Sequence, residues 1–220
     1  MTFNVKTCKY FGLLCLWLLL GVSPAKAGDI LAEWGAVRPP AAPVPTAVTV
    51  DPGSTALLVL DMSGAQNPAK GPCNTVTKPR CIASIPTVGA LISAARQHGV
   101  FVVYSVTVIG DRGDIATMIA PKASDPVVKS GADKFVGTKL AQILQQKHIK
   151  TVIILGTAAE GAVLDTGTDA VLREHLHVIV PVDAMTSTTL YPEQFVCWQF
   201  LNAPGLARMV KLTRSSMIGF

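Results

Sequence analysis

Ala56-Leu57-Leu58-Val59-Leu60 is an unbroken apolar run that ends at an acid, Asp61. A strand with one face in water alternates apolar and polar side chains, so a run with no polar position predicts a strand covered on both faces. The same signature recurs at Val100–Val108, Val127–Lys129, Thr151–Gly156, His177–Val182 and Met209–Thr213, each short, rich in β-branched residues and bounded by polar or glycine positions. Helical spacing fills the gaps. Ile85, Val88, Leu91, Ile92 and Ala95 share one face before Gly99, and Leu140, Ile143 and Leu144 mark a second helix. Ala162–Leu176 and Glu193–Leu201 read as a third and a fourth. Strands alternating with helices predict an α/β domain, doubly wound around a parallel sheet.

The first 27 residues read differently. Lys6 and Lys9 precede an apolar run from Phe11 to Val22, and Ala25-Lys26-Ala27 supplies small residues around a cleavage point. This is the pattern of an export signal cut after Ala27, and the run is too short to span a bilayer comfortably. A retained N-terminal anchor is the alternative. Residues 28–54, with Pro39, Pro40, Pro43, Pro45 and Pro52, read as an extended proline-rich arm, and residues 55–220 as the domain. The expectation is a secreted or periplasmic protein that leaves the membrane once the signal is removed.

Signal removal also changes the charge argument. The whole chain carries 19 basic and 14 acidic residues, net +5, but residues 1–27 hold three lysines and no acid. The remainder is close to neutral, and no cluster of Lys and Arg with interleaved aromatics appears, so nucleic acid is not an expected partner. Cys73 and Cys81 can close a short loop in an oxidising compartment, a pairing that sequence leaves open. Cys197 then stands alone, and reads as a buried helical cysteine among Phe195 and Trp198. No Cys-x-x-Cys or His-x-x-His spacing suggests a zinc site.

In a doubly wound sheet the carboxyl ends of the strands form the functional edge. There Asp61, Lys129 and the segment Gly156-Thr157-Ala158-Ala159-Glu160-Gly161-Ala162 are expected to meet in one crevice. The turn into the helix at Ala162 aims free N–H groups and a positive dipole end at its neighbours, which would activate a thiol or hydroxyl there. Position 162 carries only a methyl group.

Three ordered segments resemble the isochorismatase-like hydrolases, also called cysteine hydrolases. Ala56–Met62 is similar to the family's opening strand. Val127-Val128-Lys129 with Phe135 and Gly137–Leu140 is similar to its lysine segment, and Gly156–Ala170 followed by Val178–Ala184 to its nucleophile segment and the next strand. The resemblance implies a three-layer α/β/α fold with a six-stranded parallel sheet. It also implies a triad at Asp61, Lys129 and Ala162, where most members have Asp, Lys and Cys, and a cis peptide before Ala158. Phe135, Thr157, Ala158, Glu160 and Gly161 become the candidate substrate contacts. Each has a plainer reading: Phe135 as a wall of the core, Glu160 as a first-turn acid complementing the helix dipole, Thr157 as a structural hydroxyl.

The departures shape the functional expectation. Without a cysteine, amide hydrolysis through a covalent intermediate loses its attacker. One branch of the family works without that cysteine, its aspartate acting as general acid on a vinyl ether carbon. The metal-binding Asp-x-His of other members is missing from Asp111-Arg112-Gly113-Asp114, so no metal and no cofactor are expected. The reading is an exported hydrolase of a small metabolite that uses Asp61 and Lys129 without a nucleophilic cysteine. The alternative is an inactive relative that binds a small molecule or serves assembly, with a homo-oligomer left open.

Overall fold

The structure, a computed structural model, describes residues 28–220; the expected export signal lies outside them. These residues fall into two units divided after Ala41. The first holds a four-residue helix, α1 (Ile30–Glu33), whose N-cap Asp29 accepts a hydrogen bond from Leu31 N–H at 2.9 Å, and a 3₁₀ turn at Trp34–Ala36.

The second unit is built on strands β1 (Val48–Thr49), β2 (Thr55–Leu60), β3 (Phe101–Thr107), β4 (Val127–Ser130), β5 (Thr151–Thr157), β6 (His177–Pro181), β7 (Met185–Thr186), β8 (Val210–Thr213) and β9 (Ile218–Gly219). Its helices are α2 (Pro79–Gln97), α3 (Leu140–Gln146), α4 (Leu164–Leu172) and α5 (Leu190–Asn202). The proline-rich stretch is part of this unit from Ala42 onward. Thr46 N–H reaches Leu212 O, and β1 pairs with β9 in a small parallel sheet.

The main sheet is parallel throughout, in the order β4-β3-β2-β5-β6-β8, with the two-residue β7 added beside the end of β5. Six strands therefore form the expected doubly wound sheet, and β7 is a seventh that its length hides from any periodicity argument. The chain winds outward from β2 through β3 to β4, then crosses back to β5 and winds the other way. The switch point lies between β2 and β5, and in folds of this kind the functional edge is at the strands' carboxyl ends beside it.

Strand parity divides the core. Ala56, Leu58 and Leu60 of β2, with Val152 and Ile154 of β5, point into one layer with Leu140, Leu144, Ala170, Val171, Val196 and Phe200 of α3, α4 and α5. Leu57, Val59, Ile153 and Leu155 point into the other, against Ile85, Val88, Leu91, Ile92 and Ala95 of α2. All six residues of β2 are buried, and each large apolar side chain so placed contributes about 1.5–3 kcal/mol. Cys73 and Cys81 are joined, with their Cα atoms 5.3 Å apart. Cys73 N–H also bonds Ser63 O, and Cys81 Sγ lies 3.4 Å from Met62 Sδ, so the bridge braces the turn that follows Asp61.

Candidate active site

The register Leu60↔Gly156 brings the ends of β2 and β5 side by side. A Cβ on Gly156 would lie 2.0 Å from the Leu60 carbonyl oxygen, so only glycine allows this approach. Asp61 follows directly, with φ +53°. Aspartate tolerates this left-handed conformation better than most residues, and the carboxyl is turned toward Ser105 and Lys134.

Asp61 is 4% exposed. Ser105 Oγ, across from Leu60 on β3, donates to its Oδ1 at 2.7 Å, and Lys134 Nζ donates to its Oδ2 at 2.7 Å. Lys134 is wholly buried, and its ammonium also donates to Gly131 O. Burial pushes the Asp61 carboxyl above the usual carboxylate range, against the opposing pull of Lys134 and Ser105. The carboxyl therefore keeps its proton to higher pH than a solvated aspartate.

Lys129, the lysine expected here, is elsewhere. Its side chain is 45% exposed and pairs with Asp111 at 2.9 Å. The cause is strand parity: Val128 and Ser130 of β4 point inward, so Lys129 between them points to solvent. The cation beside Asp61 comes from the loop after β4, where the residue directly before Phe135 is Lys134. That loop is held closely. Lys134 N–H donates to Thr166 Oγ1 at 3.1 Å, Thr138 Oγ1 donates to Lys134 O at 2.6 Å, and Ser130 Oγ donates to Asp133 O at 2.5 Å. Thr166 lies four residues beyond Ala162 in the first turn of α4, so the lysine loop docks on that helix just past the segment holding Ala162.

The peptide between Thr157 and Ala158 is cis, as the resemblance implies. Residues Ala159–Val163 then form one π turn, not the start of an α-helix, and α4 follows from Leu164. The N–H groups of Gly161 and Val163 both turn back to Ala158 O, at 3.2 Å each. Among the described residues, none accepts from the N–H of Ala159 or Glu160. Gly161 therefore does not present a free donor, and unpaired donors lie at the first positions of the turn.

Ala162 is buried with Phe135, Leu60 and Val103 in one apolar layer of the core. Thr157 is a bridging hydroxyl whose Oγ1 donates to Thr186 O at 3.1 Å. Glu160 is exposed at the rim and accepts from Ser187 Oγ at 2.8 Å. Ala132 of the lysine loop lies across the turn, 3.9 Å from where a Gly161 Cβ would be. The Cys197 thiol, on α5, is pushed by burial up to about 11 and stays protonated at neutral pH. Among the described residues no group of three or more His, Cys, Asp or Glu is placed to hold a metal.

Two residues of this centre escaped sequence reasoning. Lys134 lies in an irregular loop with no periodicity to place it. Ser105 left a trace: it is the polar residue inside the apolar stretch Phe101–Val106, and a hydroxyl inside a strand covered on both faces needs a buried partner.

The isochorismatase domain family model matches residues 55–210. Among solved structures, an isochorismatase family protein from Desulfovibrio vulgaris superposes with a TM-score of 0.63 at 17% identity, covering 74% of this chain and 95% of that one. A cysteine hydrolase from Pseudomonas syringae pv. phaseolicola gives 0.64 at 19% identity, covering 79% and 94%. N-carbamoylsarcosine amidase from Thermoplasma acidophilum gives 0.61 at 25% identity, covering 74% and 96%. No curated protein matches the sequence. The family match spans the domain from the strand that presents Asp61 to the start of β8, and it includes the lysine loop and the turn at Ala162: this chain belongs to the isochorismatase family.

Proposed function

We propose that this protein is an exported hydrolase of a small metabolite in which Asp61 is the proton donor and Lys134 its charge partner, with no covalent intermediate. The supporting observation is the Asp61 carboxyl itself: buried, held by Ser105 and Lys134, and pushed by burial above the usual carboxylate range. A buried ion pair is a poor stabilising device, because desolvation offsets most of the attraction. As a reacting centre the same pair makes sense. In the family branch that lacks the cysteine, the substrate is a vinyl ether. Asp61 would transfer its proton to the alkene carbon, leaving an oxygen-stabilised cation. Water then adds to the cation and loses a proton, and the resulting hemiketal collapses to a ketone and an alcohol. Lys134 stabilises the carboxylate that Asp61 becomes, which lowers the cost of giving up the proton.

Ala162 stands where a thiol would, in the same buried apolar cluster as Phe135. Glu160, tied to Ser187, fits a rim position that meets the polar end of a substrate. Export is supported by the N-terminal signal pattern and by the buried Cys73–Cys81 bridge, which persists only in an oxidising compartment.

The test is a panel of enol ethers, amides and carbamoyl compounds assayed with the protein, Asp61→Asn and Ala162→Cys. The expected result is enol ether turnover by the native protein and its loss in Asp61→Asn, provided circular dichroism shows that variant folded. Undiminished turnover in folded Asp61→Asn would sink the assignment. Amide hydrolysis confined to Ala162→Cys would instead mark a former amidase that has kept only its binding crevice.

A further inference from the structure

The turn that follows Asp61 has to hold an uncommon backbone. A non-glycine residue with φ +53° persists only where its surroundings impose that conformation. On the N-terminal side the β2 ladder does so. On the C-terminal side, residues 62–64 are held from two directions. Ala116 N–H donates to Met62 O at 3.3 Å, and Gly64 N–H donates to Asp114 O at 2.9 Å. From the other direction comes the loop of residues 65–78. Its Cys73 N–H donates to Ser63 O at 2.8 Å. Gly64, with φ +110°, packs so closely on this loop that a Cβ would lie 2.3 Å from the Gly71 carbonyl oxygen.

That loop has one anchor in the core. Among the described residues between Met62 and Cys81, Cys73 is the only apolar side chain that is buried. Asn74 is buried too, but its bonds stay inside the loop: its amide donates to Gly71 O, and its oxygen accepts from Val76 and Thr77 N–H. The side-chain ties that leave the loop, Gln66 to Thr117 and Lys78 to Thr188, are exposed, where water competes for the same groups. The bridge fixes Cys73 to α2, and Cys81 Sγ lies 3.4 Å from Met62 Sδ. Each half of the bridge therefore meets a residue next to Asp61 or one beyond it.

We propose that closing the Cys73–Cys81 bridge assembles the Asp61 centre, so that both cysteines are positioning residues and thiol oxidation switches the enzyme on. The switch rests on the reading of Asp61 as the reacting group; the hold of the bridge on the Asp61 backbone does not. The chemistry is thiol–disulfide exchange with a small disulfide, RSSR. The two thiols give up two protons and two electrons as the S–S bond forms, and RSSR takes them up and leaves as two RSH.

Both cysteines are wholly buried in the folded protein, so exchange takes place while the loop is off the core, and docking then shields the bond from reductants. The switch is set once, during folding in an oxidising compartment, and stays set. With free thiols the loop keeps one backbone hydrogen bond to the turn and loses its covalent anchor. Residues 62–64 then relax, Asp61 leaves its left-handed backbone, and the carboxyl moves off Ser105 and Lys134.

The experiment compares the native protein with its bridge closed, the same chain refolded in dithiothreitol, and the double variant Cys73→Ser with Cys81→Ser. Carboxyl carbon NMR follows Asp61 and, as a control before the opposite end of β2, Asp51, which is held by Gly53 N–H and the Ser54 hydroxyl. Without the bridge the Asp61 midpoint should fall toward that of a solvated aspartate while the Asp51 midpoint stays in place. Refolding the reduced chain with oxidised glutathione should restore Asp61, and the serine variant should not respond. Once a substrate is in hand, turnover should drop about a hundredfold without the bridge, the size expected when a reacting group is displaced by about an ångström, and should return on oxidation. An Asp61 midpoint that is the same with and without the bridge overturns the positioning role. So does loss of the Asp51 midpoint in both unbridged samples, which would make the bridge a support of the whole fold. Undiminished turnover in folded, unbridged protein overturns the switch. The titration needs no substrate, so a protein whose Asp61 midpoint follows the bridge but which turns over no enol ether loses the hydrolase assignment and keeps the positioning.

Discussion

Two lysine–aspartate pairs lie within a few residues of each other and differ little in geometry. Lys134 and Asp61 are 2.7 Å apart, Lys129 and Asp111 2.9 Å. Their surroundings are opposite: side-chain exposures are 0% and 5% for the first pair, 45% and 66% for the second. The same attraction then has opposite consequences. Burial outweighs Lys134 and pushes the Asp61 carboxyl up, while the bond from Lys129 draws the Asp111 carboxyl down. The difference teaches that a salt bridge's meaning is set by the solvent it excludes, not by its length. One pair is closed off from water, and the other lies open on the surface.

The largest expected effect comes from breaking the buried pair on one side. Asp61→Ala leaves a wholly buried ammonium without its carboxylate, a change that typically costs about 3–5 kcal/mol. Urea denaturation should show that loss as a lower midpoint with an unchanged slope. A second variant sharpens the point. Asp61→Asn combined with Lys134→Met removes both charges while Ser105 keeps an oxygen to donate to, and should recover most of the stability with none of the turnover. If the double variant is as unstable as Asp61→Ala, shape and not charge governs this site.

Ser105→Ala is a smaller break. It removes one hydrogen bond to the buried carboxyl, worth about 1.5–3 kcal/mol when the acceptor is charged. It also removes a group that favours the ionised form, so the Asp61 titration should move further up. Carboxyl carbon NMR follows that shift directly. A downward movement would mean that Ser105 serves mainly the protonated acid.

The two pairs also show what could be read ahead of the structure. Asp61 was legible because it closes an apolar run, and a strand buried on both faces must deliver its first polar residue to the sheet edge. The turn at Ala162 was legible because Gly156 and the following small residues mark a strand passing into a helix. Lys129 misled for a specific reason. It closes a strand as Asp61 does, but β4 is at the sheet's edge and its inward residues are Val128 and Ser130, so one position of parity sends the lysine outward. Lys134 had no such rule to place it, since loops follow hydrogen bonds and not periodicity. Its partners Thr166 and Thr138 belong to other segments, and only the folded chain brings them together.

Titration separates the pairs without mutation. The native protein binds the Asp61 proton more tightly than the unfolded chain does, so this group's contribution to stability is full below the ordinary carboxylate pKa and is lost as pH rises through the folded value. Asp111 runs the other way: its contribution is present above the ordinary value and is lost as pH falls through the depressed one. Carboxyl carbon spectra should therefore place the Asp61 midpoint above, and the Asp111 midpoint below, that of a solvated aspartate. Midpoints in the reverse order would overturn the contrast between the two environments.

The smallest effect is expected at the residue that sequence reasoning put at the centre. Lys129→Ala removes a cation from a pair open to water on both sides, where solvent replaces the lost bond and added salt already screens it. Asp111 keeps its place through the 3₁₀ turn at Arg112–Asp114, because Asp114 accepts from Asp111 N–H at 2.8 Å whether or not the lysine is present. Stability should stay within measurement error in high salt, and turnover should be unchanged. Lys129 lies two strands from Asp61 in the sheet, since β3 separates β4 from β2, and Ser105 of β3, not Lys129, bonds the Asp61 carboxyl. A marked loss of turnover in Lys129→Ala, with the fold intact, would mean that an exposed charge acts on the reacting centre at long range, and the assignment of Lys134 as the charge partner would have to share that role.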